Sequence, residues 1–339
     1  MKPLTPQSIC AKRLIEKFPE YPARELARAV RKEMKNAVTL EQARNLVRYH
    51  LGLIGRDKRS KKIIGGNTIT RQHRTPGGKE FVAMPKSIAE PWTTASIDAV
   101  GPIGILSDIH VPYHDNIALR AAVKHLEKSK IKGLLLNGDF ADFFSISRWQ
   151  KDPSKRDFSG ELKQVRQLLE WLRQTFPKIP ITAKLGNHEE RWEHWLWEHA
   201  PELADEPDMG IESWLRLKNF GIDLVKDQRI VMLGNLPVAH GHELPKGTSS
   251  PVNAARGAFM RTFHSILIGH GHRTSGHAES DLWHNEVFCW STGCLCGMAP
   301  EYARINKWNH GAAVVRVDKS GEFDVENFRI ASAGVIRSS

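Results

Sequence analysis

Apolar residues in the middle of this chain come in short unbroken runs rather than in strict alternation. Ile103-Gly104-Ile105-Leu106, Leu134-Leu135-Leu136 and Ile266-Leu267-Ile268 are three of them. Such runs predict strands buried on both faces, as in a parallel sheet. Helices are expected near 116–129, 160–176, 188–200 and 252–263, and further strands at 284–291, 312–317 and 322–330. This is an α/β layout.

Each run leads into a cluster of acids and imidazoles. The clusters read Ser107-Asp108-Ile109-His110, Gly138-Asp139-Phe140-Ala141-Asp142, Gly186-Asn187-His188-Glu189, His240-Gly241-His242 and Gly269-His270-Gly271-His272, with Tyr113-His114-Asp115 just after the first. Ligands of open α/β sheets bind beyond the carboxyl ends of the strands, where these clusters fall. Taken singly, an Asp or His is more often a satisfied surface or core residue. The ordered set is different. It supplies oxygen and nitrogen ligands for two divalent metals, and two metals roughly 3.5–4 Å apart clamp a phosphoryl group during in-line attack. Strand residues i and i+2 share a face, so Asp108 and His110 are expected to point at one ion, and His270 and His272 at one ion or two neighbours. No cluster holds a cysteine. Carboxylate, amide and imidazole ligands suit manganese first, with iron or zinc as alternatives. Magnesium alone fits less well because it favours oxygen.

The order D-x-H, G-D-x-x-D, G-N-H-E, H-G, G-H-x-H, over about residues 101–330, resembles the calcineurin-like metallophosphoesterases. That resemblance implies a two-sheet α/β sandwich flanked by helices, with a dinuclear centre. It implies that Asp108, His110, Asp139 and His272 hold one metal and that Asp139, Asn187, His240 and His270 hold the other, with Asp139 bridging. His188 would be catalytic, beside the leaving group, and Asp142 would be a supporting carboxylate. The chemistry agrees: a bridging carboxylate offsets repulsion between two cations, and metal binding brings the pKa of water toward neutrality so that it can attack. His188 could then give a proton to the departing oxygen. His240 and His242 compete for one ligand position, and the resemblance favours His240.

The N-terminal part has a different character. Residues 5–50 predict three short helices. Thr5-Pro6 is a start signal, Leu26, Val30 and Met34 recur at helical spacing, and Thr39-Leu40-Glu41-Gln42 is a capping box. The third helix carries Arg44 and Arg48 one turn apart, and the basic run Arg56, Lys58, Arg59, Lys61 and Lys62 follows. Residues 1–86 hold 20 Lys and Arg against 7 Asp and Glu; the remainder holds 29 against 31. The N-terminal part is therefore +13 and the remainder −2, so the net charge of +11 arises in the N-terminal part. Clustered positive charge on a helix-turn-helix-like unit points to nucleic acid as a partner. A helical bundle with a solvated basic face is the plainer reading. The division expected is a basic helical domain at 1–56, a linker with a hairpin at 57–100, a phosphoesterase domain at 101–331 and a tail at 332–339.

Cys10, Cys289, Cys294 and Cys296 do not have zinc-tetrad spacing and read as buried thiols. Trp192, Trp195, Trp197 and Trp214 follow the Asn187-His188 cluster; core packing is the plain reading and a wall for stacked bases the functional one. No apolar run is long enough to span a bilayer and no signal-peptide layout begins the chain, so an intracellular protein without a membrane partner is expected. The expectation is a dinuclear-metal phosphoesterase, acting as a phosphodiesterase or nuclease on nucleic acid. The alternatives are a phosphomonoesterase or small-nucleotide hydrolase anchored by its N-terminal domain, and a nucleic-acid-binding module whose metal domain is structural.

Overall fold

The computed structural model describes residues 4–52, 84–98, 100–149, 152–245, 252–280 and 282–338. The chain divides into two units, Met1–Ala89 and Glu90–Ser339. In the first, α1 (Pro6–Lys17), α2 (Ala23–Glu33) and α3 (Leu40–His50) form a three-helix cluster. Thr5 accepts from Ser8 N to cap α1. The capping box closes α3, with Gln42 N donating to Thr39 Oγ1 and Thr39 N donating to Gln42 Oε1. Leu14, Leu26, Val30, Ala43 and Val47 meet in one core, so the apolar face of each helix is buried against the other two. Arg48 is exposed and Arg44 half-buried beside Glu41. Arg56, Lys58, Arg59, Lys61, Lys62 and most of the expected hairpin lie outside the described residues.

The second unit holds two sheets. The seven-stranded one contains β2 (Gly101–Leu106), β3 (Gly133–Asn137), β4 (Ile181–Lys184), β5 (Ile222–Val225), β11 (Gly311–Val317), β12 (Phe323–Ala331) and β13 (Val335–Ser338), in the order β13-β12-β11-β2-β3-β4-β5. The six-stranded one contains β1 (Ala95–Ser96), β6 (Val231–Leu233), β7 (Leu236–Ala239), β8 (Ile266–Ile268), β9 (Ser275–Ser280) and β10 (Glu286–Ser291), in the order β1-β6-β7-β8-β10-β9. The expected helices appear as α4 (Asn116–Lys128), α5 (Phe158–Thr175), α6 (Glu190–His199) and α8 (Ala254–Thr262), and α7 (Ile211–Leu215) adds a short fifth.

The unbroken apolar runs have the cause proposed for them. Ile103, Ile105 and Leu135 face the other sheet and pack with Val231, Leu233, Val238 and Leu267. Leu106, Leu134 and Leu136 face outward, under Leu119, Leu126, Leu169 and Leu172 of α4 and α5. A strand covered on both faces cannot alternate polar and apolar residues. The stretch 92–97 joins the sheet edge: Ala95 pairs with Val231, Trp92 Nε1 donates to the Asp227 carbonyl and Arg229 donates to the carbonyls of Thr93 and Thr94. β2, β3 and β4 run parallel, as do β7 and β8.

Candidate metal centre

Five turns carry the candidate ligands, one beyond the carboxyl end of each of β2, β3, β4, β7 and β8. Asp108 and His110 follow β2, Asp139 and Asp142 follow β3, Asn187 and His188 follow β4, His240 follows β7, and His270 and His272 follow β8. The strand pleat does not aim the paired residues, contrary to the sequence argument. β2 stops at Leu106 and β8 at Ile268, before either pair begins. Left-handed backbone does the aiming: φ is 56° at Asp108, 54° at His110, 53° at Asp139, 60° at His270 and 52° at His272. Each such non-glycine residue costs on the order of 1–3 kcal/mol and persists only where its surroundings impose it, typically at functional sites. Two glycines give the turns room. A Cβ on Gly138, itself at φ 81°, would strike the His240 ring, and one on Gly186 would strike Asp139 Oδ1.

The side chains converge with their lone pairs inward. His240 Nδ1 lies 2.7 Å from the Asn137 carbonyl, so this nitrogen carries the proton and Nε2 is left as an acceptor, 3.1 Å from Asp139 Oδ2. His110 Nδ1 is held by Asp142 Oδ2 at 3.0 Å, and its Nε2 lies 3.2 Å from His272 Nε2. His272 Nε2 is also 3.1 Å from Asp108 Oδ1. The ligand atoms of Asp108, His110 and Asp139 lie within 4.8 Å of one another, and so do those of Asp139, His240 and His270. Asp139 belongs to both groups. Asp108 Oδ1, Asn187 Oδ1 and His240 Nε2 are buried and make no hydrogen bond. Buried polar atoms are rarely left so, because each costs about 1–3 kcal/mol. Carboxylate, amide and imidazole groups crowded together in this way fit divalent cations.

Carboxylates behind the site hold its loops. Glu189 accepts from the backbone N–H groups of Asp139, Ala141 and Gly186, tying the turns after β3 and β4 together. Burial, with the Asp139 charge beside it, pushes the Glu189 pKa up to about 7. Glu243 accepts from the N–H groups of His240 and Gly241 and pairs with buried Lys184 at 2.8 Å. His242 stands between Glu190 and Glu243, 3.1 Å from each. Burial acts to lower its pKa, but the two carboxylates outweigh that and raise it to about 9. Of the two competing histidines, His240 is the one that faces Asp139.

His188 Nδ1 lies 2.9 Å from the Asp142 carbonyl, which leaves Nε2 as its outward atom, 3.0 Å from Arg191 Nη2. Arg191 also donates to the Asp142 carbonyl. Burial works against a charged His188, but Asp139 and Asp142 overcome it and the net shift is upward. The sequence names Glu189 within a cluster without a role for it, and Arg191 and Glu243 stand outside the clusters. Arg191 had one available signal, its place three residues after His188 at the start of a helix.

Other residues fall elsewhere. Asp115 caps α4 by accepting from Ala118 N. All four cysteines are buried, as expected, but Cys296 Sγ lies 3.9 Å from His272 Nδ1, against the centre rather than apart from it. Trp192 is buried in the core and Trp214 packs beside it, whereas Trp197 is exposed.

Residues 101–315 match the family model described as calcineurin-like phosphoesterase. The chain is 28% identical over 234 residues to the Gene 54 proteins of Mycobacterium phages L5 and D29, covering 64% of this chain and 89% of each relative. Among solved structures, it is similar to a Vps29 variant from Entamoeba histolytica, at 12% identity and a TM-score of 0.36, over 70% of this chain and 97% of that one. It is also similar to Vps29 from Chaetomium thermophilum, at 13% identity and a TM-score of 0.39, over 71% and 96%. The family match spans more than half of the chain and contains all five ligand-bearing turns: the chain belongs to the calcineurin-like phosphoesterase family, whose members generally bind two divalent metals, and is a metal-dependent phosphoesterase, a hydrolase.

Proposed function

We propose that this phosphoesterase cleaves phosphodiesters in nucleic acid. Asp108, His110, Asp139 and His272 would hold one divalent ion, and Asp139, Asn187, His240 and His270 the other, with manganese the preferred metal. Bound there, the ions would supply positive charge for the phosphoryl oxygens and a water of lowered pKa. The remaining work belongs to the chain. Asp142 fixes the ring of His110 through Nδ1 and the ring of His188 through its carbonyl. With its Nδ1 proton committed to that carbonyl, His188 gives a proton to the leaving oxygen from Nε2 as the imidazolium, the form that the Asp139 and Asp142 carboxylates favour. The Arg191 guanidinium, 3.0 Å from that nitrogen, would offer a planar cation to an anionic phosphoryl group bound beside His188.

The observation that carries the reaction class is the double use of Asp139 by two ligand groups. What favours a polymer over a small phosphomonoester is the charge of the N-terminal part, 20 basic against 7 acidic residues in the first 86, beside a near-neutral remainder. The test is a panel supplied with manganese: single-stranded DNA, duplex DNA, RNA, cyclic dinucleotides, a phosphomonoester and bis(p-nitrophenyl) phosphate. Cleavage of at least one polymer, faster than of the small esters at equal phosphate concentration, is expected. Turnover of phosphomonoesters alone would contradict the proposal.

A further inference from the structure

A cleft of about 800 Å³ adjoins the metal centre, lined on one side by 145–149 and on the other by α6. Asn187 and Arg191 belong to its wall, and Arg191 also contacts His188, so the cleft starts on the side of the proposed leaving group. Two tryptophans in the wall are open to solvent, Trp149 at 67% and Trp197 at 55% exposure. Tryptophan is highly buried on average; Trp92 and Trp283 are exposed elsewhere, but Trp149 and Trp197 are exposed together around one cleft, where two flat apolar faces can hold a ligand. The helix pattern shows that Trp197 is not a displaced core residue. Trp192 and Leu196 fill the buried side of α6, while Glu190, Arg191, His194, Trp197 and Glu198 form a separate stripe at spacings of three and four.

The cleft pairs these flat apolar faces with cations. Arg148, Arg156 and Arg191 line it, against Glu190 and Glu198, and Glu190 is engaged by His242. The Arg148 guanidinium lies 5.3 Å from the Trp149 ring centroid. Indoles and guanidinium groups in one cleft match a chain of planar bases joined by phosphates. A duplex keeps its base faces stacked inside, so only an unpaired strand can lay bases on these rings. On these grounds, and resting on the nucleic-acid reading above, we infer that the cleft seats an unpaired strand on the leaving-group side of the scissile phosphate. Trp149 and Trp197 stack bases, and Arg148 and Arg156 take phosphates. The preferred substrate is then single-stranded or locally opened nucleic acid.

The test uses the full-length, manganese-loaded protein and the double variant Trp149→Ala with Trp197→Ala. Turnover is measured on a single-stranded oligonucleotide, its duplex, a dinucleotide and bis(p-nitrophenyl) phosphate. Stacking is worth about 1–3 kcal/mol per base and two rings are removed, so kcat/KM on the single strand should fall by roughly 30-fold or more beyond the loss on the small diester, mainly through KM. The pair Trp149→Phe and Trp197→Phe, which keeps two aromatic faces, should recover most of the loss. Equal losses on oligonucleotide and small diester, with no recovery by phenylalanine, would show that the rings only support the fold and would overturn the assignment. So would equal losses on single strand and duplex, or a dinucleotide penalised as heavily as the oligonucleotide, since a small nucleotide would then be the occupant. A wild-type protein inert on every polymer sinks the nucleic-acid reading and the cleft with it. A wild type that cleaves strands equally well without the two indoles sinks the cleft alone.

Discussion

Asp139 joins the candidate ligand group of Asp108 and His110 to that of His240 and His270, and its Oδ1 also accepts from His188 N. Asp139→Asn should lose at least one metal and nearly all hydrolysis, measured by metal content and by turnover of a chromogenic diester; two tightly held ions with normal turnover would remove it from the bridge. His188→Ala should keep both metals and lose about 10²–10⁴ in rate, the usual scale for a positioned acid. That loss should shrink for substrates whose leaving group needs little protonation. Much of the site was legible at this scale because its side chains are chemically conspicuous and stand next to glycines after apolar runs. The geometry was not. Nothing in Asp108-Ile109-His110 shows that φ is positive at both ends, and alternation along a strand gave the right convergence for the wrong reason. Glu189 and Glu243 were missed because their work is to accept backbone N–H groups; for Glu189 two of those partners lie about fifty residues away, and neither they nor the Lys184 partner of Glu243 has a sequence signature.

At the scale of elements, one buried pair joins the sheets. Lys184 ends β4 of the seven-stranded sheet and Glu243 lies in the turn after β7 of the six-stranded one. Lys184→Met would leave buried Glu243 with His242 as its remaining cation, and losing one partner of a buried pair costs up to about 3–5 kcal/mol. Denaturant unfolding should report a loss toward that size; a loss under about 1 kcal/mol would mean that His242 and the backbone N–H groups suffice to hold Glu243. A pH effect belongs to β12. Burial opposes ionisation of Glu326, but Arg316 at 2.6 Å and His125 at 2.8 Å outweigh it and lower its pKa. A depressed carboxylate pKa adds stability that is complete above the unfolded value of 4.5 and fades as pH falls through the lower folded value. Glu326→Gln should therefore melt below wild type at neutral pH, and the gap should close in acid; a constant gap would assign the effect to packing. Long, doubly covered strands and amphipathic helices were readable from pattern. The edge strand β1 was not, since two residues held by Trp92 and Arg229 carry no periodicity. Nor was α7, too short for a pattern to emerge.

For the whole molecule, charge and chemistry lie in different parts of the chain. Because residues 92–97 pair with the six-stranded sheet, a fragment meant to fold alone has to begin at Glu90, not after residue 100. Residues 90–339 should fold and hydrolyse a small diester about as well as the full chain. On duplex DNA the fragment should bind more weakly and with a flatter salt dependence, since each phosphate neutralised adds roughly 0.9 to the slope of log affinity against log salt. An unchanged slope would show that the N-terminal charge does not meet nucleic acid. The role of that charge could only be posed from sequence, because composition locates an excess but not what it touches. The central claim is that five turns build one dinuclear centre around Asp139. Anomalous diffraction from crystals grown with manganese tests it most directly. Two peaks roughly 3.5–4 Å apart, with Asp139 between them and His188 on neither, are predicted; a single peak, or a pair placed away from Asp139, would contradict it.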